Sequence, residues 1–105
     1  IEEHDMKRVM VQYKVKADKT EENRRLIEAV FAALKESSTP NLRYASFVQE
    51  DGVSFVHIAS IETEDGSNPL DDIGAFDAFT EAIRDRCEVP PSETPLEVVG
   101  SYELL

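Results

Sequence analysis

His57 is the single histidine of the 105-residue chain beyond its first five residues, and in the run Val53 to Ile61 it shares a side with Phe55 and Ala59. An imidazole held there could take or give a proton near neutral pH. It could equally be a structural histidine, hydrogen-bonded inside a sheet or a subunit interface. Tyr13, Tyr44 and Tyr102 offer hydroxyls able to orient a phenolic or quinone-like ligand, because a buried tyrosine finds a partner for its O–H. Their other reading is as core rings with tips at the rim. Gln12, between Met10 and Lys14, adds an amide that either meets a ligand or faces solvent or an interface. His57 and Tyr44 are thus the candidates for catalysis, and Gln12 and Tyr13 for substrate binding.

The remaining reactive side chains carry less. Cys87 stands beside Asp85 and Glu88, whose charge raises a thiol pKa and makes it a poor nucleophile. Arg84 and Arg86 suit the negative end of a helix dipole. Phe76 and Phe79 read as helix-to-sheet core rather than a cofactor box. One usable histidine and one cysteine thirty residues later form no metal-ligand spacing, and neither a Gly-rich phosphate loop nor a nucleophile elbow is present. Neither a metal nor a cofactor is expected.

The elements that must position these groups follow from periodicity. Arg8 to Lys16 alternates, with Val9, Val11, Tyr13 and Val15 on one face and Met10, Gln12 and Lys14 on the other, which predicts a strand with one well-buried face. Asp18 and Thr20 are N-cap candidates, and Leu26, Ile27, Val30, Phe31 and Leu34 recur at helical spacing, so a helix is expected from about Thr20 to about Glu36, ending before Pro40. Leu42 to Gln49 and Val53 to Ile61 flank Glu50-Asp51-Gly52, a tight-turn sequence, and are expected to pair antiparallel. Asn68, Asp71 or Asp72 is expected to cap a second helix that carries Ile73, Phe76, Phe79, Ile83 and Cys87 on one stripe, with Gly74 weakening its first turn. Pro90, Pro91 and Pro95 make Glu88 to Pro95 a stiff connector, and Leu96 to Leu105 reads as the fourth strand, with a bend at Gly100.

Composition bounds what such a chain can be. Residues 6–105 are expected to form a single domain, large enough to bury a modest core. Residues 1–5 precede a Met6 that opens directly into a strand and are expected to be a cloning remnant or disordered. Removing their three carboxylates moves the formal charge from −11 to −8, so the chain stays acidic and lacks the basic footprint of nucleic-acid or anionic-membrane binding. The lone cysteine, with no apolar run long enough to span a bilayer, points to a reducing cytoplasm.

Strand-helix-strand-strand-helix-strand with right-handed crossovers puts both helices on one side of an antiparallel four-stranded sheet, a ferredoxin-like α+β arrangement. The other side is left open. Yet the third strand is apolar on both faces, Val53, Phe55, Ala59 and Ile61 against Val56 and Ile58, and the second sets Leu42, Tyr44 and Val48 against Ala45 and Phe47. A half-solvated sheet alternates more cleanly, so the open face calls for a cover, and a second copy of the chain is the simplest.

The element order, the opening Met6-Lys7-Arg8-Val9-Met10-Val11-Gln12-Tyr13-Lys14-Val15 and the Phe76-Asp77-Ala78-Phe79 helix resemble the antibiotic biosynthesis monooxygenase-like group of dimeric α+β barrel proteins. Arg86-Cys87-Glu88-Val89-Pro90-Pro91 and Val99-Gly100-Ser101-Tyr102 look like the closing segment of members whose reaction is unassigned. The resemblance runs from Met6 through nearly the whole chain. It implies two sheets packed face to face as a barrel, a homodimer, and in each subunit a pocket between helices and sheet. Some members oxidise aromatic polyketides without a cofactor; related ones degrade haem. Gln12 falls where the haem-degrading relatives carry an Asn, but their Trp after the third strand is replaced by Ile61 and Glu62, and the second helix holds no His. The resemblance therefore does not extend to haem ligation by that route.

Two functions are compatible with these residues. One is a cofactor-independent oxygenase in which an apolar pocket binds a small aromatic or quinol-like substrate, with His57, Tyr44, Tyr13 and Gln12 as its polar groups. The other is a non-catalytic dimer of the same fold that binds a small apolar molecule or serves a stress response, a reading favoured by the missing Trp and helix His.

Overall fold

The computed structural model describes residues 7–104; residues 1–6 and Leu105, and the expectation for the first five residues, lie outside them. Strand β1 (Lys7–Val15) pairs antiparallel on one side with β3 (Ser54–Ile61) and on the other with β4 (Cys87–Pro95), while β2 (Leu42–Val48) pairs antiparallel with β3, giving the order β2-β3-β1-β4. This is the ferredoxin-like sheet, with β1 and β3 in the middle. The β2–β3 hairpin turns where Asp-Gly predicts: Gly52 takes φ +77°, and the Asp51 carboxylate accepts from the N–H groups of Val53 and Ser54 at 3.0 and 2.9 Å and from the Ser54 hydroxyl at 2.6 Å.

That turn sets the β2–β3 register, which brings Ser46 and Tyr44 to His57. Ser46 pairs with His57, His57 with Val11 and Val11 with Glu93, so one row crosses all four strands on one face. Tyr13 pairs with Phe55 and Tyr44 with Ala59, on the same face. The α1 helix (Thr20–Ser37) covers it with Leu26, Ile27, Val30 and Leu34, and α2 (Gly74–Thr80) adds Phe76 and Phe79; the core is centred on Tyr13, Val15, Val30, Phe55, Leu70 and Phe79. On the opposite face Met10, Val56 and Ile58 are half-buried and Phe47 is 51% exposed.

Four expectations are corrected. The fourth strand is Cys87–Pro95, not Leu96 to Leu105: β4 is an edge strand, where proline's missing N–H costs no ladder bond, and its pairing with β1 shifts register between Gln12 and Lys14 and again before Val15. After Leu96, whose N–H reaches the Arg8 carbonyl at 2.7 Å, the described chain to residue 104 is irregular, with Val99 wholly exposed. The second helix is divided: Asn68 caps a 3-10 turn, Pro69–Asp72, by accepting from the Leu70 N–H at 3.0 Å, then comes α2, and α3 (Ile83–Arg86) follows a break at Ala82, φ +49°. Cys87 accordingly opens β4 rather than closing a helical stripe. Finally, Asp18 lies in a 3-10 turn, Ala17–Lys19, and α1 begins after Lys19 with no side-chain cap.

Candidate functional site in an apolar cavity

Between the covered face of the sheet and the α2–α3 segment lies a cavity of about 280 Å³. Val9, Val11, Ala59 and Ile61 form its floor, and Leu70, Phe76, Phe79 and Ile83 its roof. An apolar cavity of roughly 150 Å³ accepts benzene, so this one has room for a planar molecule of about two fused rings. Of its polar lining residues, Asn68 is engaged with the Leu70 N–H, and the Thr80 hydroxyl bonds to the carbonyls of Phe76 and Asp77 at 3.1 and 3.2 Å. The polar contacts left for a ligand come from Tyr13, Tyr44 and His57, and from the exposed Glu93 on β4.

His57 is 4% exposed and lies in a pile of rings: its centroid is 5.3 Å from Tyr13, 5.9 Å from Tyr44 and 5.4 Å from Phe79, with Phe31 stacked 5.1 Å from Tyr44. Both ring nitrogens are engaged. Nε2 is 2.7 Å from the Tyr13 hydroxyl; Nδ1 is 2.7 Å from Ser46 Oγ and 2.9 Å from Tyr44 Oη. The chain of contacts continues past Tyr13, whose oxygen accepts from Asn23 Nδ2 at 2.9 Å, while Asn23 Oδ1 accepts from Arg86 Nε at 3.2 Å. Arg86 also gives an Nη2 hydrogen to the Phe79 carbonyl at 2.6 Å, closing the end of α2, and its guanidinium sits 5.4 Å from the Phe79 ring centre.

Burial dominates the electrostatics. It lowers the His57 pKa to about 4, so the imidazole is neutral at physiological pH. Tyr44 is pushed up to about 12 by burial against the smaller opposing effect of the Ser46 hydroxyl. Tyr13 is raised further, again by burial, with Asn23 opposing. The Cys87 thiol is also raised, as its neighbours suggest, but the cause is burial; Arg86, Arg84 and Lys16 act the other way.

The structure brings three of the four sequence candidates together: His57, Tyr44 and Tyr13 meet through their polar atoms. Gln12 is exposed on the opposite face, beside Lys14 and Val89, and does not line this cavity. Tyr102, also a hydroxyl candidate, is 87% exposed in the irregular C-terminal segment. Arg86 is not a helix-end surface charge but a buried donor, and Asn23, fully buried, had no sequence signal except its place among the helical positions of α1 that face the sheet. Among the described residues no cluster of three His, Cys, Asp or Glu side chains could hold a metal ion, and no helix is long and apolar enough to cross a membrane.

No family model matches the chain, and no curated protein matches it. Solved structures do. An antibiotic biosynthesis monooxygenase superposes with a TM-score of 0.71 at 16% identity over 90% of this chain and 99% of its own. A Nitrosomonas europaea protein bearing the same family name gives 0.72 at 16% identity over 90% and 91%. SnoaB, a cofactor-independent oxygenase from Streptomyces nogalater, gives 0.68 at 15% identity over 94% and 98%. At such identities the likeness is one of fold, and over about nine-tenths of its length this chain has the ferredoxin-like α+β fold of the antibiotic biosynthesis monooxygenase-like proteins.

Proposed function

We propose that the protein is a cofactor-independent oxygenase for a small, planar aromatic or quinol-like substrate, with His57 and Tyr44 as its catalytic pair and Tyr13 holding His57 in place. The observation that carries this reading is the meeting of an apolar cavity of about 280 Å³ with a buried polar cluster in its lining. Such a cavity selects a flat apolar body by desolvation and fixes its orientation through one oxygen. A substrate that arrives as its enolate or phenolate, its proton already given to solvent, is held at that oxygen by the Tyr44 hydroxyl and shielded from water, and such an anion reduces oxygen unaided. The balance needs no further reductant: a ring methylene and one dioxygen give a ring carbonyl and one water. Likeness of fold to SnoaB supports the reaction class.

A homodimer through the open sheet face belongs to the same proposal. Phe47, Val56 and Ile58 make that face apolar, and a second copy would bury it. The buried free thiol of Cys87 suits a reducing cytoplasm.

One observation favours the rival, a non-catalytic small-ligand-binding dimer: both nitrogens of His57 are already engaged by hydroxyls. Oxygen uptake with a panel of anthrone-like and quinol compounds separates the two. The oxygenase reading expects turnover by the parent and a fall of about a hundredfold in His57→Ala and Tyr44→Phe, the scale of a lost oxyanion donor. Background rates in all three proteins would leave the binding reading.

A further inference from the structure

We propose that Asn23 and Arg86 are positioning residues that fix the tautomer of His57, so that Tyr44 offers its O–H to the cavity and the ligand must bring an acceptor oxygen, a carbonyl or enolate, to meet it. This deepens the reading above and rests on it for the ligand, though not for the tautomer.

The direction of the chain follows from which members can only give. A guanidinium has donors and no acceptor, so Arg86 Nε, 3.2 Å from the side-chain oxygen of Asn23, fixes which way that buried amide points; the reverse orientation would set N–H against N–H. The amide N–H then faces Tyr13, 2.9 Å away, and the phenol oxygen accepts it. The phenol's own proton goes to its other close neighbour, Nε2 of His57 at 2.7 Å. A neutral imidazole that accepts at Nε2 carries its proton on Nδ1.

The far side of the ring agrees with this independently. Nδ1 has two hydroxyl oxygens in reach, Ser46 at 2.7 Å and Tyr44 at 2.9 Å. One N–H shared between two acceptors is a common three-centre bond. One ring lone pair serving two donors is not. With both oxygens accepting from Nδ1, and the Ser46 hydroxyl giving its own proton to the Tyr44 oxygen whose pKa it lowers, the Tyr44 proton is left for the cavity that Tyr44 lines. The cluster thus receives a ligand's oxygen as a donor site does an oxyanion, rather than removing a proton through a bare His57 nitrogen.

The tautomer is read directly by long-range proton–nitrogen correlation spectra of the nitrogen-15-labelled protein at pH 7.5, without ligand or oxygen, with His4→Ala removing the other histidine's signals. The parent is expected to show a proton on Nδ1 and a bare Nε2. Asn23→Asp replaces the amide with a carboxylate that only accepts; Tyr13 must then donate to it, and Nε2 of His57 must carry a proton. A proton on Nε2 in the parent, or a bare Nε2 in folded Asn23→Asp, overturns the proposal. Should Asn23→Asp fail to fold, the parent spectrum alone decides. Since no turnover enters this measurement, an inactive protein with the expected tautomer would sink the oxygenase and leave the directed chain standing.

Discussion

The hydroxyl of Tyr13 lies 2.7 Å from Nε2 of His57, a diagonal contact between neighbouring strands in which Tyr13 faces Phe55 and His57 faces Val11. One step of register slip would turn one of the two side chains to the other face of the sheet. The contact is therefore a product of the β1–β3 register and of the alternation in those two strands, and everything proposed about the cavity depends on it.

Tyr13→Phe keeps the ring and removes the link. Asn23 Nδ2 and His57 Nε2 would both lose a buried partner, at a cost of about 1–3 kcal/mol. Urea unfolding of parent and variant measures it: a lower midpoint with an unchanged slope is expected. A variant as stable as the parent would mean that water restores both bonds.

Stability should fall with acid in a window set by His57. Its pKa is about 4 in the fold against 6.5 in the unfolded chain, so between those values the unfolded state binds more protons. The contribution is complete above pH 6.5, declines as pH falls and is gone near pH 4. Between pH 7.5 and pH 5 the loss is about 2 kcal/mol. His57→Gln, which can still accept from Tyr13, should show a flatter profile over the same interval in parallel urea titrations. Equal slopes would mean that His57 is not held neutral.

The open sheet face gives a third expectation. Light scattering at micromolar concentration should report one species of twice the chain mass, and Ile58→Glu, which sets a charge on that face, should return it to a monomer. A monomeric parent would contradict the cover proposed for Phe47, Val56 and Ile58.

What was legible in the sequence was whatever local pattern dictates. Alternation gave His57, Tyr13 and Tyr44 each a side within its own strand, and Asp51-Gly52 located the hairpin; that the three sides are one face of the sheet comes only with the strand register. The fourth strand was missed because its prolines forbid a central strand, and only the strand order shows that it lies at an edge. The break before Ile83 had no local signal: Thr80 to Arg86 reads as continuous helix, and it is the Arg86 side chain returning to the Phe79 carbonyl that ends α2. Asn23 and Arg86 stayed invisible for the same reason. They stand 63 residues apart, Asn23 at a sheet-facing position of α1 and Arg86 in a segment whose charges suit a helix end, and only the packed fold brings them together.

The proposed functional site is the apolar cavity under α2 and α3, not the open sheet face. Titrating the isotope-labelled protein with an anthrone-like ketone and following its methyl and imidazole resonances tests it most directly. Shifts concentrated on Val11, Ala59, Ile61, Leu70, Ile83 and His57 are expected. Shifts confined to Met10, Val56 and Ile58, or none at saturation, would contradict it.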